Sequence, residues 1–218
     1  MKIAVLGTGN VGEAIGSKLV ELGHEVMMGS RTADNEKAAA FVAKFPSGKA
    51  KAGTFADAAA FGELIFNCTL GVASINVLKS AGESNLEGKI LVDISNPLDF
   101  SKGMPPSLSV CNTTSMAEEI QRTFPGAKVV KSLNTMTCYL MVNPGMLNGG
   151  DHNVFIGGND PEAKKQVAGI LKSFGWNEKN IIDLGDITTA RSTEMILPLW
   201  LNLYMSTKNG IFNFKIVM

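Results

Sequence analysis

Gly7-Thr8-Gly9-Asn10-Val11-Gly12 has the residue types and spacing to hold a pyrophosphate. At these positions Gly7 allows a tight turn, Gly9 lets backbone N–H groups approach an anion, and Gly12 lets a helix pack closely on a sheet. Unpaired N–H groups and the positive end of the dipole at the start of that helix would meet the phosphates. Four later groups also carry ligand-type side chains: Ser30-Arg31-Thr32, Cys68-Thr69-Leu70, Asn96-Pro97-Leu98 and Asn134-Thr135. Histidine occurs twice, as His24 and His152, and no cysteine, histidine or carboxylate cluster has metal-ligand spacing.

The glycine group is informative because of what flanks it. It follows the buried-type run Ile3-Ala4-Val5-Leu6 and opens Glu13 to Leu22, where apolar residues recur at helical period. A second apolar run then ends in Gly29-Ser30-Arg31-Thr32. Strand, glycine turn, helix, strand is the layout of a dinucleotide site. An NAD site usually carries a carboxylate at the end of the second strand, to accept from the ribose 2′-hydroxyl, whereas a 2′-phosphate calls for a cation. Here Ser30 and Thr32 offer hydroxyl groups and Arg31 can pair with or stack over the adenosine phosphate, so the expected cofactor is NADP(H). The plainer alternative for Arg31 is a solvated loop residue.

Beyond this unit, apolar runs alternate with helical patterns. Helices are expected over 33–45 (ended by Pro46), 55–61, 72–81, from the Ser115 capping box to Phe124, and over 161–174. Strands are expected over 50–54, 64–68, 90–94, 129–131, 153–157 and 181–184, and Asp186 can cap a final helix interrupted at Pro198. The pattern predicts a Rossmann-type α/β fold: a doubly wound, mostly parallel sheet with helices on both faces and a small C-terminal α/β extension. Residues 1–150 form the NADP-binding domain and 151–218 the strand and helix extension packed on the same body.

Ligands of such sheets lie across the carboxyl ends of the strands. Cys68, Thr69, Leu70, Asn96, Pro97, Leu98, Asn134 and Thr135 all follow strand ends, so they are expected to line the nicotinamide half. Each has a structural alternative: Cys68 as a small buried hydrophobe, Asn96-Pro97 as a turn, Asn134 and Thr135 as partners of loop backbone.

Composition excludes other classes. Of 218 residues 45% are apolar, enough for a full core, and 20 basic residues balance 20 acidic ones, so no long-range field recruits nucleic acid or an anionic membrane. The apolar stretch Met195 to Leu201 is far short of the roughly 20 residues of a spanning helix. Three scattered cysteines and a chain that opens directly on a strand, without a signal-peptide pattern, lead to the expectation of a reducing, cytoplasmic setting. The expected partner is a small molecule.

The glycine group, the Gly29-Ser30-Arg31 strand end, Asn96-Pro97-Leu98, Ser132-Leu133-Asn134-Thr135-Met136 and Thr193 to Asn202 together resemble the NADP oxidoreductases dependent on the deazaflavin coenzyme F-420. The soluble reductase domain of the six-transmembrane ferric reductases is similar too, above all around Lys131 to Thr135. The resemblance covers nearly the whole chain. It implies that Thr8, Asn10 and Val11 contact the phosphates, that Ser30, Arg31 and Thr32 hold the 2′-phosphate, and that Thr69, Leu70, Asn96, Pro97 and Leu98 surround the nicotinamide, with Asn134 and Thr135 over the hydride-transfer cleft. It also implies a homodimer, and F-420 or a flavin as second substrate. The deazaflavin enzymes tend to carry a histidine where this chain has Asn134, which leaves the acceptor open.

Hydride transfer between a nicotinamide and a flavin-like ring needs stacked faces and a dry pocket, with no acid-base residue required of the protein. A hydroxy-acid dehydrogenase would need a base, and Lys131 is the one candidate near a strand end, with a sheet-edge or salt-bridged lysine as the simpler reading. Neither histidine is expected at a carboxyl end. The competing class is a non-catalytic NADPH-binding redox sensor acting through a partner. An enzyme needs an acceptor cleft built from the Asn134 loop and the Met195 to Asn202 helix, whereas a sensor could fill that space. Met136, Met141, Met146 and Met195 could line such a pocket or fill the core.

Overall fold

The computed structural model describes residues 1–217. In chain order it contains β1 (Lys2–Leu6), α1 (Asn10–Glu21), β2 (Glu25–Ser30), α2 (Glu36–Ala43), β3 (Ala50–Thr54), α3 (Phe55–Phe61), β4 (Leu64–Asn67), α4 (Gly71–Ala81), α5 (Glu83–Leu86) and β5 (Ile90–Asp93). There follow the short strands β6 (Leu98–Asp99) and β7 (Ser107–Leu108), then α6 (Met116–Thr123), β8 (Lys128–Ser132), α7 (Cys138–Val142), β9 (Val154–Gly158), α8 (Pro161–Ser173), β10 (Ile181–Asp183), α9 (Ala190–Met195) and α10 (Leu197–Thr207).

Eight strands form one sheet in the order β10-β9-β8-β5-β4-β1-β2-β3. The six from β3 to β8 are mutually parallel, β9 runs antiparallel to β8, and β10 is parallel to β9. The strands of a doubly wound sheet are covered on both faces, which is why β1, β4 and β5 are apolar almost throughout. One face packs Ile15, Leu19, Phe41, Val167 and Leu171 against Val5, Phe66 and Val92. The other packs Ala58, Leu78, Leu86 and Ile120 against Leu6, Ile65 and Leu91. Residues 151–217 continue the same sheet through the β8–β9 pairing.

Several expected bounds shift for identifiable reasons. The helix expected over 33–45 starts at Glu36 because the Asn35 side chain accepts from Ala38 N (3.1 Å) and so caps it. The loop over 96–112 contains the antiparallel pair β6 and β7, and α5 and α7 are short helices with too few residues to show periodicity. Asp186 caps a 3-10 turn that leads into α9, and the break before α10 falls at Ile196, two residues ahead of Pro198. A proline removes one helical hydrogen bond and crowds the carbonyl four residues earlier, so the break precedes it.

The antiparallel β9 changes one expectation about the site. His152 precedes β9, so it lies on the edge where β8 ends and not on the far edge, contrary to its predicted place. It remains structural: buried, edge-on to Trp176, with Nδ1 2.7 Å from Asn213 Nδ2 and Nε2 2.9 Å from Pro144 O. An amide N–H₂ can only donate, so Nδ1 accepts and Nε2 carries the proton.

α9 is tied to α6 by Arg191, which donates from Nε to Glu118 Oε2 (2.8 Å) and from Nη2 to Oε1. The Arg191 guanidinium holds the Glu118 carboxyl below the usual carboxylate value, against the opposing effect of burial and with help from Ser115. A depressed carboxyl stabilises the fold above its unfolded pKa, and that contribution is lost as pH falls through its folded value. Glu118→Gln is therefore expected to lower the urea midpoint at neutral pH. The difference from the parent protein should persist through the ordinary carboxylate range and shrink only as pH falls through the lowered folded value.

Candidate functional site

The strand order reverses between β1 and β4, and the glycine turn sits there. Gly7 has φ +118°, and a Cβ on it would lie 2.6 Å from Cys68 O; a Cβ on Gly12 would lie 2.0 Å from Gly7 O. These two positions are fixed by conformation and by close packing. Gly9 differs, since its φ of −80° suits any residue and nothing lies within 4 Å of where its Cβ would stand. Its missing side chain leaves open space at the start of α1.

Four helix N-termini are closed by side chains: Asn35 caps α2, Thr54 α3, Ser115 α6 and Asp160 α8. α1 begins after Gly9 and α4 after Leu70 without any side-chain cap. These two helices follow β1 and β4; the start of α4 is partly closed by backbone, Gly71 N donating to Asn96 O (3.1 Å), whereas the start of α1 faces the reversal point with N–H groups available to an anion.

At the end of β2, Ser30 is buried and its hydroxyl donates to Thr32 O, closing the turn, while Arg31 and Thr32 are exposed. Between the starts of α1 and α2 a depression of about 180 Å³ is lined by Thr8, Asn10, Glu13, Lys37, Ala40, Phe41 and Lys44. Lys44 pairs with Glu13, which leaves Lys37 as the exposed cation of this depression, in the first turn of the helix that follows Ser30-Arg31-Thr32. Sequence reasoning missed Lys37; its place in the first turn of the helix after Ser30-Arg31-Thr32 is the signal that could have found it.

Across the reversal point a second cleft, of about 150 Å³, is lined by Val11, Cys68, Thr69, Leu70, Ile94, Ser95, Asn96 and Leu98. The structure thus brings together the ends of β4 and β5 with the first turn of α1. Pro97 is buried behind them, its carbonyl accepting from Ser109 N (2.8 Å). Burial and the nearby Asp93 push the Cys68 thiol up, so it stays a neutral, unreactive wall group. Ser95 follows the end of β5 within this cleft. Its Oγ is buried without a hydrogen-bond partner among the described residues.

Asn134 and Thr135 do not line that cleft; both are buried. Asn134 Nδ2 donates to Asn96 Oδ1 (2.9 Å) and Thr193 O (3.0 Å), and Asn96 Nδ2 donates back to Asn134 O (2.8 Å). Thr135 borders a separate depression of about 200 Å³ with Phe155, Leu184, Ser192, Thr193 and Ile196, almost wholly apolar. That is the space between the Asn134 loop and the C-terminal helices, and it is open. Met136 and Met141 fill the core, whereas Met146 and Met195 are exposed.

Asn67, Asp93 and Lys131 stand side by side in register on β4, β5 and β8. Asn67 Nδ2 donates to Asp93 Oδ1 (2.8 Å) and to Ser74 Oγ (3.0 Å), and Thr69 Oγ1 donates to Asn67 Oδ1 (2.7 Å). Lys131 Nζ meets Asp93 Oδ2 and Glu194 Oε1, each at 2.8 Å, and donates to Ser95 O. Burial alone would lower this ammonium, but the two carboxylates outweigh it and hold it above the usual lysine value. A lysine held protonated cannot accept a proton from a hydroxy acid, so the base role is excluded and the salt-bridged reading stands. His24 lies in the turn before β2, at the opposite edge. Among the described residues no helix is long and apolar enough to cross a membrane.

Residues 2–97 match the family model described as NADP oxidoreductase, coenzyme F420-dependent. The chain is 54% identical to a solved protein from Arthrobacter sp. FB24 that carries the provisional description of an F420-dependent NADP reductase, with a TM-score of 0.93 and 100% of both chains covered. It is 28% identical to the F420-dependent NADP reductase of Methanothermobacter marburgensis, over 98% of this chain and 96% of that one. It is also 30% identical to the Metalloreductase STEAP3 of Rattus norvegicus over 91% of this chain, and it spans 38% of that protein's length. A reductive aminase from Aspergillus terreus, 20% identical with a TM-score of 0.68, shares the fold.

Proposed function

Since the chain belongs to the NADP oxidoreductase family dependent on coenzyme F420, we propose that it transfers hydride between NADPH and a flavin-like or deazaflavin ring. It is an NADP-dependent oxidoreductase; the acceptor is the proposed part. The observation that carries the reading is the uncapped N-terminus of α1 facing open space over Gly9 at the strand-order reversal.

In this reading Gly7 to Gly12 hold the pyrophosphate through the N–H groups of the first turn of α1. Arg31, Thr32 and Lys37 receive the 2′-phosphate, with Ser30 shaping the turn that presents them. Val11, Cys68, Thr69, Leu70, Asn96 and Leu98 form the walls around the nicotinamide, with Pro97 behind. NADPH, when bound, supplies the hydride. The chain's residues orient the ring and keep water away, and no side chain has to move a proton. The apolar depression bordered by Thr135 and Ile196 offers a flat acceptor a surface without competing hydrogen bonds.

Loss of the NADPH absorbance band, followed with coenzyme F420, FMN, FAD and ferric chelates in turn, tests the proposal. Turnover with F420 or a flavin is expected. Tight NADPH binding with no turnover on any acceptor would overturn it in favour of a redox sensor, and turnover on ferric chelates alone would favour the metalloreductase relative.

A further inference from the structure

We propose that Lys131 is a positioning residue for hydride transfer, its ammonium tying three separate chain segments into the wall that aligns the nicotinamide with its acceptor. This rests on the NADPH site proposed above. Lys131 has three hydrogens to donate and three acceptors: Asp93 Oδ2, Glu194 Oε1 and Ser95 O. None of these partners is loose. Asp93 Oδ1 accepts from Asn67 Nδ2 (2.8 Å) and from Ser95 N (3.2 Å). Glu194 accepts from Met116 N (2.8 Å) and Ala117 N (3.2 Å), so it also closes the start of α6.

A second tie runs alongside the first. Asn134 joins Asn96 to Thr193 through its side-chain amide, three residues further along the chain from Lys131. Segments 93–96 and 193–194 are thereby each bonded to segment 131–134 at two points, Lys131 and Asn134. Ile94, Ser95 and Asn96 line the cleft assigned to the nicotinamide, and Thr193 lines the apolar depression assigned to the acceptor. Lys131 borders neither space, yet it holds the wall of one to the wall of the other.

Burying an ammonium with two carboxylates is a poor way to gain stability, because desolvation offsets most of the attraction. What it does provide is direction: three hydrogen bonds of fixed geometry where apolar packing would leave the segments free to slide. Hydride transfer is sensitive to such sliding, since a displacement of about 1 Å can lower a rate roughly a hundredfold.

The test compares the parent protein with Lys131→Met and Glu194→Gln, the second keeping shape and an acceptor oxygen in case the first does not fold. For folded protein, checked by circular dichroism, three quantities are measured: NADPH affinity, the fluorescence of bound NADPH, and kcat, KM and the isotope effect with C4-deuterated NADPH and F420 or FMN. NADPH affinity and KM are expected to stay within about threefold, because the phosphates are held elsewhere. kcat is expected to fall roughly tenfold to a hundredfold. The isotope effect should rise as transfer becomes limiting, and the emission of bound NADPH should weaken as its ring loosens. Unchanged kcat, isotope effect and emission in folded variants would overturn the proposal and leave Lys131 a purely structural ion-pair partner. If the parent protein reduced none of the acceptors, the proposed function would fall, while the fluorescence of bound NADPH would still decide the role of Lys131.

Discussion

Gly12→Ala is expected to destabilise the protein and abolish NADPH binding, whereas Gly9→Ala is expected to weaken NADPH binding and leave stability unchanged. The difference lies in what each new methyl group would meet. At Gly12 it would stand 2.0 Å from Gly7 O and 3.5 Å from Val5 Cγ1. Gly7 is held in place, with φ +118° and its N–H donating to Gly29 O (3.0 Å). α1 must then move off the sheet, at a cost of about 2–3 kcal/mol for an overpacked site. The same movement carries away the N–H groups proposed to hold the phosphates.

At Gly9 the added methyl group meets no protein atom within 4 Å and an ordinary backbone conformation, so the thermal midpoint should not move. It would occupy the space proposed for the pyrophosphate and hold it off the first turn of α1. A charge-assisted hydrogen bond is worth about 1.5–3 kcal/mol, so losing one weakens NADPH by roughly tenfold to a hundredfold or slightly more. Thermal melts and titration calorimetry on the two variants check both halves. If Gly9→Ala bound NADPH as well as the parent protein, the pyrophosphate could not lie over the glycine turn.

Arg31→Ala carries the second large effect, on the choice between NADPH and NADH. Arg31 is exposed and sits where an NAD site would carry a carboxylate, and Ser30 turns its hydroxyl inward to Thr32 O. In the proposed NADPH site, recognition of the 2′-phosphate would then fall mainly to the guanidinium, to Thr32 and to Lys37. Removing the guanidinium is expected to weaken NADPH by about 1.5–3 kcal/mol and to leave NADH nearly unaffected. The loss should diminish at high salt, since an exposed ionic contact is screened. Dissociation constants for both nucleotides at two ionic strengths provide the check, and equal weakening of the two would exclude Arg31 from the 2′-phosphate site.

The strand, glycine turn and helix that open this chain were open to reading from residue order alone. A strand, a glycine turn and a helix follow one another within a few residues, and each glycine answers to its immediate neighbours: Gly7 to its turn, Gly12 to the carbonyl five residues earlier. The parallel sheet followed from repeated apolar runs, and the groups at the ends of β4 and β5 do converge with Val11 on one cleft. Local chemistry also encoded most caps, as at Thr54, Ser115 and Asp160.

Chain reversal and lateral pairing depended on the folded molecule. Nothing local distinguishes β9 as antiparallel, and that single choice moves His152 to the other edge of the sheet. Asn134 reads as a ligand contact until the fold sets Thr193, 59 residues away, against its amide. Lys131 and Asp93 are 38 residues apart and meet because β5 and β8 pair in one register, where the low dielectric of the interior forces every buried charge to find a partner. Hydrogen bonds along a turn or a helix are set by neighbouring residues, whereas a buried charge is satisfied only by whatever distant segment packing brings within reach.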